Sequence, residues 1–186
     1  MDSDSDAAVI AASRADTERF GVLFDRHARV VYRYLVRRIG PDEADAVLGE
    51  VFRVAFEKRD TYDCTRADAR PWLYGIATRL VAKHRRREAR RLHAVARLVA
   101  QRAPADDAGA RVDAAVDAAE LWPRVADAIT GLPEEERDAL ILFVWEGLSY
   151  EQVADALGVP VGTVRSRLNR ARMRMRELRG ASGREE

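Results

Sequence analysis

Apolar residues recur every three or four positions along most of the chain, and no segment sustains a period of two, so the pattern predicts an all-α protein. Phe20, Leu23, Phe24, His27, Val31, Tyr34 and Leu35 mark one amphipathic helix, which Gly40 and Pro41 end. Ala44, Val47, Leu48, Val51, Phe52, Ala55 and Phe56 mark a second, and the polar stretch 59–69 after it reads as a loop. Trp72, Leu73, Ile76, Ala77 and Leu80 begin a third, with Pro71 suited to its first turn. These three stripes can share one core, giving a helical body over 15–92 behind a disordered acidic tail at 1–14. Between 93 and 120 the chain turns to alanine, aspartate and arginine, with Pro104 and Gly109 and scarcely a large apolar residue beyond Leu98. That stretch reads as a flexible linker able to span roughly 80 Å when extended, although 111–119 could become helical on docking. Further helices are predicted at 121–129, 134–145, 150–157 and 161–178, forming a second body over 121–179 before a disordered polar tail at 180–186.

The second body carries the most specific local signal. Ser149 followed three positions later by Gln152 is the capping-box arrangement that opens a helix. Gly158 supplies the left-handed residue that closes it, and Pro160 stands where a new helix can start without losing an amide donor. Val153 and Leu157 face Val164 and Leu168 across the turn, and small Ala154 lets the helices cross closely. This is a helix-turn-helix, whose second helix enters the DNA major groove. Along that helix Val161, Val164, Leu168, Ala171, Met175 and Leu178 form an apolar stripe. Arg165, Ser166, Asn169 and Arg170 lie on the outer face of its first turns, where base edges are reached. Arginine pairs with guanine and asparagine with adenine, while Thr163, Arg167 and Arg172 suit phosphate contacts.

Composition sharpens this picture. The formal net charge is only +1, from 32 basic against 31 acidic residues, which by itself argues against a nucleic-acid partner. The distribution argues for one, because basic residues crowd into 79–91 and 165–179 while acidic ones gather elsewhere. With 34% charged residues and no apolar run near the roughly 20 residues of a membrane span, no membrane insertion is expected. An acidic start unlike a signal peptide, and a lone cysteine, Cys64, place the chain in a reducing cytoplasm. No catalytic triad or metal-ligand spacing is present, so neither an enzyme nor a cofactor is expected; His27 reads as a packed helix residue.

Three strings widen the helix-turn-helix signal: Gly131-Leu132-Pro133-Glu134-Glu135-Glu136-Arg137, Gly147-Leu148-Ser149-Tyr150-Glu151-Gln152-Val153-Ala154, and Pro160-Val161-Gly162-Thr163-Val164-Arg165-Ser166-Arg167-Leu168. Together they closely resemble region 4 of the extracytoplasmic-function (ECF) RNA polymerase sigma factors of the sigma-70 family. Phe24 with Val31-Tyr32, then Glu50-Val51-Phe52, then Arg70-Pro71-Trp72-Leu73-Tyr74-Gly75-Ile76-Ala77, resemble region 2 of the same family. The resemblance implies that Thr163, Arg165, Ser166, Arg167, Asn169, Arg170 and Arg172 contact the minus-thirty-five element. It implies that loop 61–69 holds a base flipped from the minus-ten element, with Tyr62 as an aromatic contact and Arg79, Lys83, Arg86 and Arg87 along the DNA backbone. Trp72, Leu73 and Ile76 share the apolar stripe and read as core. Helix 42–58 would grip the clamp helices of the polymerase's largest subunit through Asp45, Leu48, Gly49 and Glu50. The flap of the second-largest subunit and an anti-sigma factor are further partners implied by the likeness. Three positions depart from the family pattern: Ala46 where an acidic residue is frequent, Gly49 where glutamine is, and Arg79 where asparagine is.

Two rival classes remain at this point. A helix-turn-helix regulator that acts without replacing the sigma subunit would need a receiver or ligand domain in front, and the first half lacks the strand-helix alternation of a receiver. A helical adaptor working only through proteins would show no salt-sensitive DNA affinity, whereas phosphate contacts predict a steep loss of binding as salt rises.

Overall fold

The computed structural model describes residues 5–100 and 129–181, and every regular element among them is helical. The first body is built from α1 (Asp6–Ala12), α2 (Phe20–Ile39), α3 (Pro41–Glu57) and the long α4 (Arg70–Ala100). The second contains α5 (Glu134–Val144), α6 (Tyr150–Leu157) and α7 (Val161–Ala181). The 101–120 part of the expected linker, the 121–128 part of the helix expected at 121–129, residues 1–4 and the 182–186 part of the tail expected at 180–186 lie outside the described residues.

Helices α2, α3 and α4 pack on one another through the predicted stripes, with Leu23, Val31, Leu35, Ala44, Val51, Leu73, Ala77 and Val81 fully buried. Edge-on aromatic pairs, Phe20 with Phe56 at 5.3 Å and Tyr34 with Tyr74 at 5.3 Å, fix the spacing of these helices. The Tyr34 hydroxyl lies 2.7 Å from Thr78 Oγ1, and burial pushes its pKa up to about 12. Phe24 is 43% exposed, so the first stripe is narrower than its spacing suggested.

Two boundaries differ from the sequence expectation. The supposed tail at 1–14 contains α1, capped by Ser5 and buried through Ala7, Val9 and Ile10. The acidic run around it concealed one short apolar turn that packs on α2, and Asp6 is itself buried and paired rather than solvated. The linker also begins later than 93, because α4 continues to Ala100. Residues 93–100 include three alanines, the best helix former, and no glycine or proline interrupts them.

In the second body α5 and α6 pack against α7 around Ala139, Leu142, Leu148, Val153, Val164 and Leu168. The bodies do not stand apart. Helix α6 lies along α4, and the buried apolar side chains of both form one continuous core. The close approach occurs at Gly75, where an added Cβ would stand 2.5 Å from the Ala156 carbonyl oxygen. Polar contacts rim this seam. The Arg37 guanidinium lies 2.8 Å from Glu146, Tyr74 donates to the same carboxylate at 2.5 Å, and Arg38 is paired with Asp138. The loop residue Arg66 pairs with Asp155 of α6.

Since only a glycine fits at 75, Gly75→Ala should push α6 off α4 without weakening α4, alanine being the better helix former by about 1 kcal/mol. Small-angle scattering should show a larger radius of gyration with unchanged helix content. An unchanged radius would mean that this seam does not set the solution shape.

Candidate nucleic-acid interface

The turn between α6 and α7 has the geometry expected of a helix-turn-helix. The Gln152 amide donates to Ser149 Oγ at 3.2 Å and the Ser149 amide donates back to Gln152 Oε1 at 2.9 Å. Gly158 adopts the left-handed conformation, φ 66°, that ends α6 after eight residues. Pro160 then leads into α7, with Val164 and Leu168 buried and Ala154 at the crossing. With its apolar stripe turned inward, α7 presents Arg165, Ser166, Asn169, Arg170 and Arg172 on exposed positions, while Thr163 and Arg167 are half-buried.

That basic face is partly neutralised from within the body. Arg167 pairs with Glu135 at 2.6 Å, and Arg170 and Arg174 both pair with Glu136 at 3.1 and 3.0 Å. Glu136 is buried, so it holds two arginines in a fixed posture. Arg172 lies over the Phe143 ring. Arg165 sits at the start of α7, where its charge helps to keep Glu151 ionised, behind the hydrogen bonds that dominate that lowering. Sequence reasoning assigned the run 134–136 to a helix first turn. Its role as a counter-ion shelf for α7 spans more than thirty residues, and no local pattern encodes it.

The other basic surface lies on α4. Arg79, Lys83, Arg86 and Arg87 are all exposed, and Lys83 lies 3.5 Å from Glu50 of α3. Asp45 and Gly49 are exposed and Leu48 and Glu50 half-buried on the adjoining face of α3. The two groups of candidates are therefore neighbours, meeting at the Lys83–Glu50 pair.

Loop 61–69 joins α3 to α4, and its own hydrogen bonds shape it. Asp63 accepts from the Thr65 amide at 3.0 Å and from its hydroxyl at 2.7 Å, and these bonds hold the Asp63 carboxyl below its usual range. Asp68 accepts from the Arg70 amide at 2.9 Å and pairs with its guanidinium at 2.8 Å. Tyr62 is only 5% exposed. Its ring packs on Trp72 at 5.0 Å and its hydroxyl donates to the Arg66 carbonyl oxygen at 2.6 Å. Burial pushes the phenol far above its ordinary pKa. In this conformation Tyr62 is a wedge beneath the loop and offers no free face to a base, because the ring is large enough to be worth more in the core than on the surface. Thr61, Asp63, Thr65, Arg66 and Ala67 are the exposed residues of the loop, the last three forming its tip. Trp72 is half-buried, and Leu73 and Ile76 are core. His27, read as a packed residue, is buried with Nε2 2.7 Å from Asp6 Oδ2.

Among the described residues no cluster of histidine, cysteine or carboxylate side chains is arranged to hold a metal ion, and no helix is long and apolar enough to cross a membrane.

Comparison with known proteins agrees with this geometry. The family model for sigma-70 region 2 matches residues 23–91, and that for sigma-70 region 4 matches residues 123–175. The chain is 31% identical to the ECF RNA polymerase sigma factor SigL of Mycobacterium tuberculosis over 177 residues, covering 92% of this chain and 97% of that protein. Among solved structures, CnrH in complex with the cytosolic domain of CnrY superposes with a TM-score of 0.66 at 25% identity, covering 96% of this chain and 99% of that one. The sigma factor RpoE of Bartonella quintana, in complex with the anti-sigma factor NepR, has the same fold, with a TM-score of 0.61 at 21% identity over 86% of this chain and 95% of that one. A helix-turn-helix with an exposed basic first half, a second basic surface on the long helix α4, and these matches over nearly all of the chain lead to one conclusion: the protein belongs to the ECF RNA polymerase sigma factors of the sigma-70 family.

Proposed function

We propose that the first turns of α7 read the minus-thirty-five element as duplex, while loop 61–69 and the start of α4 capture a base flipped from the minus-ten element. The family membership settles the general activity: the chain directs RNA polymerase to promoters as a non-catalytic subunit. The division of labour rests on one observation above the others, the capped and tightly turned α6–α7 unit, which leaves Arg165, Ser166, Asn169 and Arg170 exposed at the groove-entering end. On α4, the exposed Arg79, Lys83, Arg86 and Arg87 supply the phosphate anchor that a flipped base needs beside its pocket. Asp45, Leu48, Gly49 and Glu50 of α3 meet the clamp helices of the largest polymerase subunit, and the second body meets the flap of the second-largest. Acting together with RNA polymerase, the chain works in the cytoplasm. An anti-sigma protein belongs to this reading, supported by family membership and by the likeness to CnrH, whose solved structure includes the cytosolic domain of CnrY.

The docked arrangement sets a condition on this function. The two promoter elements are separated by on the order of 80 Å of duplex, at about 3.4 Å per base step, whereas here Arg66 of the loop touches Asp155 of the helix-turn-helix. Reading both elements at once therefore requires the α4–α6 seam to open, and the linker left beyond Ala100, about 20 residues with an extended reach of roughly 70 Å, allows it once the width of the two bodies is added.

Transcription in vitro with sigma-free core polymerase over a promoter library tests the assignment. Arg165→Ala should cost about 1 to 3 kcal/mol in upstream-element recognition and blur base preference there, with Arg170→Ala acting in the same direction. Equal loss on every sequence would show that these arginines hold phosphate alone.

Replacing Lys83, Arg86 and Arg87 together should slow open-complex formation, with a much smaller effect on duplex minus-thirty-five binding. Unchanged opening would remove α4 from the melting step. Gly49 has nothing within 4 Å of an added Cβ, so a longer side chain fits there without collision. Gly49→Gln, which restores the residue frequent in the family, should raise affinity for core polymerase in a fluorescence titration, and equal affinity would exclude position 49 from that contact.

A further inference from the structure

We propose that α1 is a brace for the promoter-reading loop, with Asp6 and Arg14 acting as positioning residues that fix the two ends of the segment 59–69. The inference rests on the reading of that loop as the minus-ten contact.

Asp6 lies with its side chain only 10% exposed between α2 and the end of the loop. One oxygen accepts from Arg26 Nη1 at 3.2 Å, and the other accepts from the Ala69 amide at 3.0 Å and lies 2.7 Å from His27 Nε2. Ala69 is itself fully buried and immediately precedes α4, so its amide is a donor that needs a partner. A carboxylate on a different element supplies it. Burial alone would raise the Asp6 pKa, but the bonds from His27, Ala69 and Arg26 outweigh it and hold the group at about 2, fully ionised under ordinary conditions.

Arg14, just beyond the other end of α1, holds the start of the same segment. Its Nη2 donates to the carbonyl oxygens of Arg59 and Asp60, each at 3.3 Å, and to Cys64 Sγ at 3.7 Å, while Nε lies 3.5 Å from the Asp60 carboxylate. Between these anchors α1 is locked down by Ile10, which is completely buried, and by the Ser13 hydroxyl donating to the Ile10 carbonyl oxygen at 2.7 Å. The helix thus spans the loop as a short rigid strut, gripping backbone atoms at both ends and leaving Thr65, Arg66 and Ala67 exposed between them. A base pocket discriminates only while its walls stay in place, so fixing the ends of the loop before DNA arrives lowers the ordering cost of capture and keeps the wrong base out.

The test compares Asp6→Asn, Arg14→Ala and the double variant with Val9→Ala, which loosens the packing of α1 while leaving both polar anchors in place. Amide exchange of 59–69 in the free protein reads the brace directly and should quicken roughly tenfold or more in the double variant. Holoenzyme binding to forked DNA, with single-base changes in the unpaired minus-ten strand, reads the consequence. Discrimination should fall roughly fivefold in the double variant, with affinity for core polymerase and for minus-thirty-five duplex unchanged and Val9→Ala retaining normal discrimination. Thr65→Ala and Arg66→Ala form the second arm. If neither alters base preference, the loop is not the reader, and the brace loses its function even where exchange quickens. If both alter it while the Asp6 and Arg14 variants leave exchange or discrimination untouched, or Val9→Ala impairs discrimination equally, the loop reading stands and the brace is overturned.

Discussion

A guanidinium cannot shed its proton at any ordinary pH, so an arginine with no exposed side-chain surface must find a counter-charge or unfold its surroundings. Arg38 is such a residue, at the end of α2, and the carboxylate that answers it, Asp138, belongs to the other body of the molecule. Burial raises the Asp138 pKa even with Arg38 alongside, a sign that the pair is expensive to desolvate. Such a pair contributes little net stability, because both groups are well hydrated once separated. Its effect is on geometry: α5 can meet α2 only where the two charges meet. The attraction comes from the apolar seam of α4 and α6, which closes because position 75 has no side chain. A seam built this way is specific without being strong. The proposed function, in which two reading heads part to span a promoter, needs that combination.

The same economy governs the recognition helix. Glu135 and Glu136 stand against Arg167, Arg170 and Arg174 as internal counter-ions, so α7 is less positive in the free protein than its sequence suggests. Phosphates approaching the helix compete with these carboxylates, and a competed arginine is already oriented and has less rotamer freedom to lose. On the proposed assignment, affinity for DNA in general is thereby lowered, while Arg165, on the exposed leading turn, remains available to a base edge. Selectivity in this arrangement comes from holding charge back as much as from presenting it.

Loop 61–69 shows a corresponding restraint on the backbone. Tyr62 fills the space beneath it, Asp63 and Asp68 turn its backbone, and α1 ties down its ends. What remains exposed is a short tip next to the basic face of α4. The Lys83–Glu50 pair joins that face to the proposed polymerase contact on α3, so the proposed DNA-melting and enzyme-binding surfaces adjoin at an exposed ion pair.

Helix positions, the capping box at Ser149 and Gln152, the left-handed Gly158 and the two arginine runs were all legible in the chain, because each is a short-range property set by periodicity or by one residue's conformational freedom. The exposed placement of Arg165 and Asn169 followed from the same periodicity, whereas Arg79, Lys83, Arg86 and Arg87 were named from the family resemblance. Tertiary structure alone decided that an apolar turn hidden in an acidic start becomes α1, that Tyr62 points inward, that Glu136 restrains two arginines and that α6 lies on α4. Asp6 meets Ala69, 63 positions on, Glu136 meets Arg170, 34 positions on, and Gly75 meets the distant Ala156. Tyr62, bonded to nearby Arg66 and packed on Trp72, is buried only because the helices flanking the loop dock. Which buried charge or amide finds which partner depends on how whole helices dock, and no local spacing carries that information.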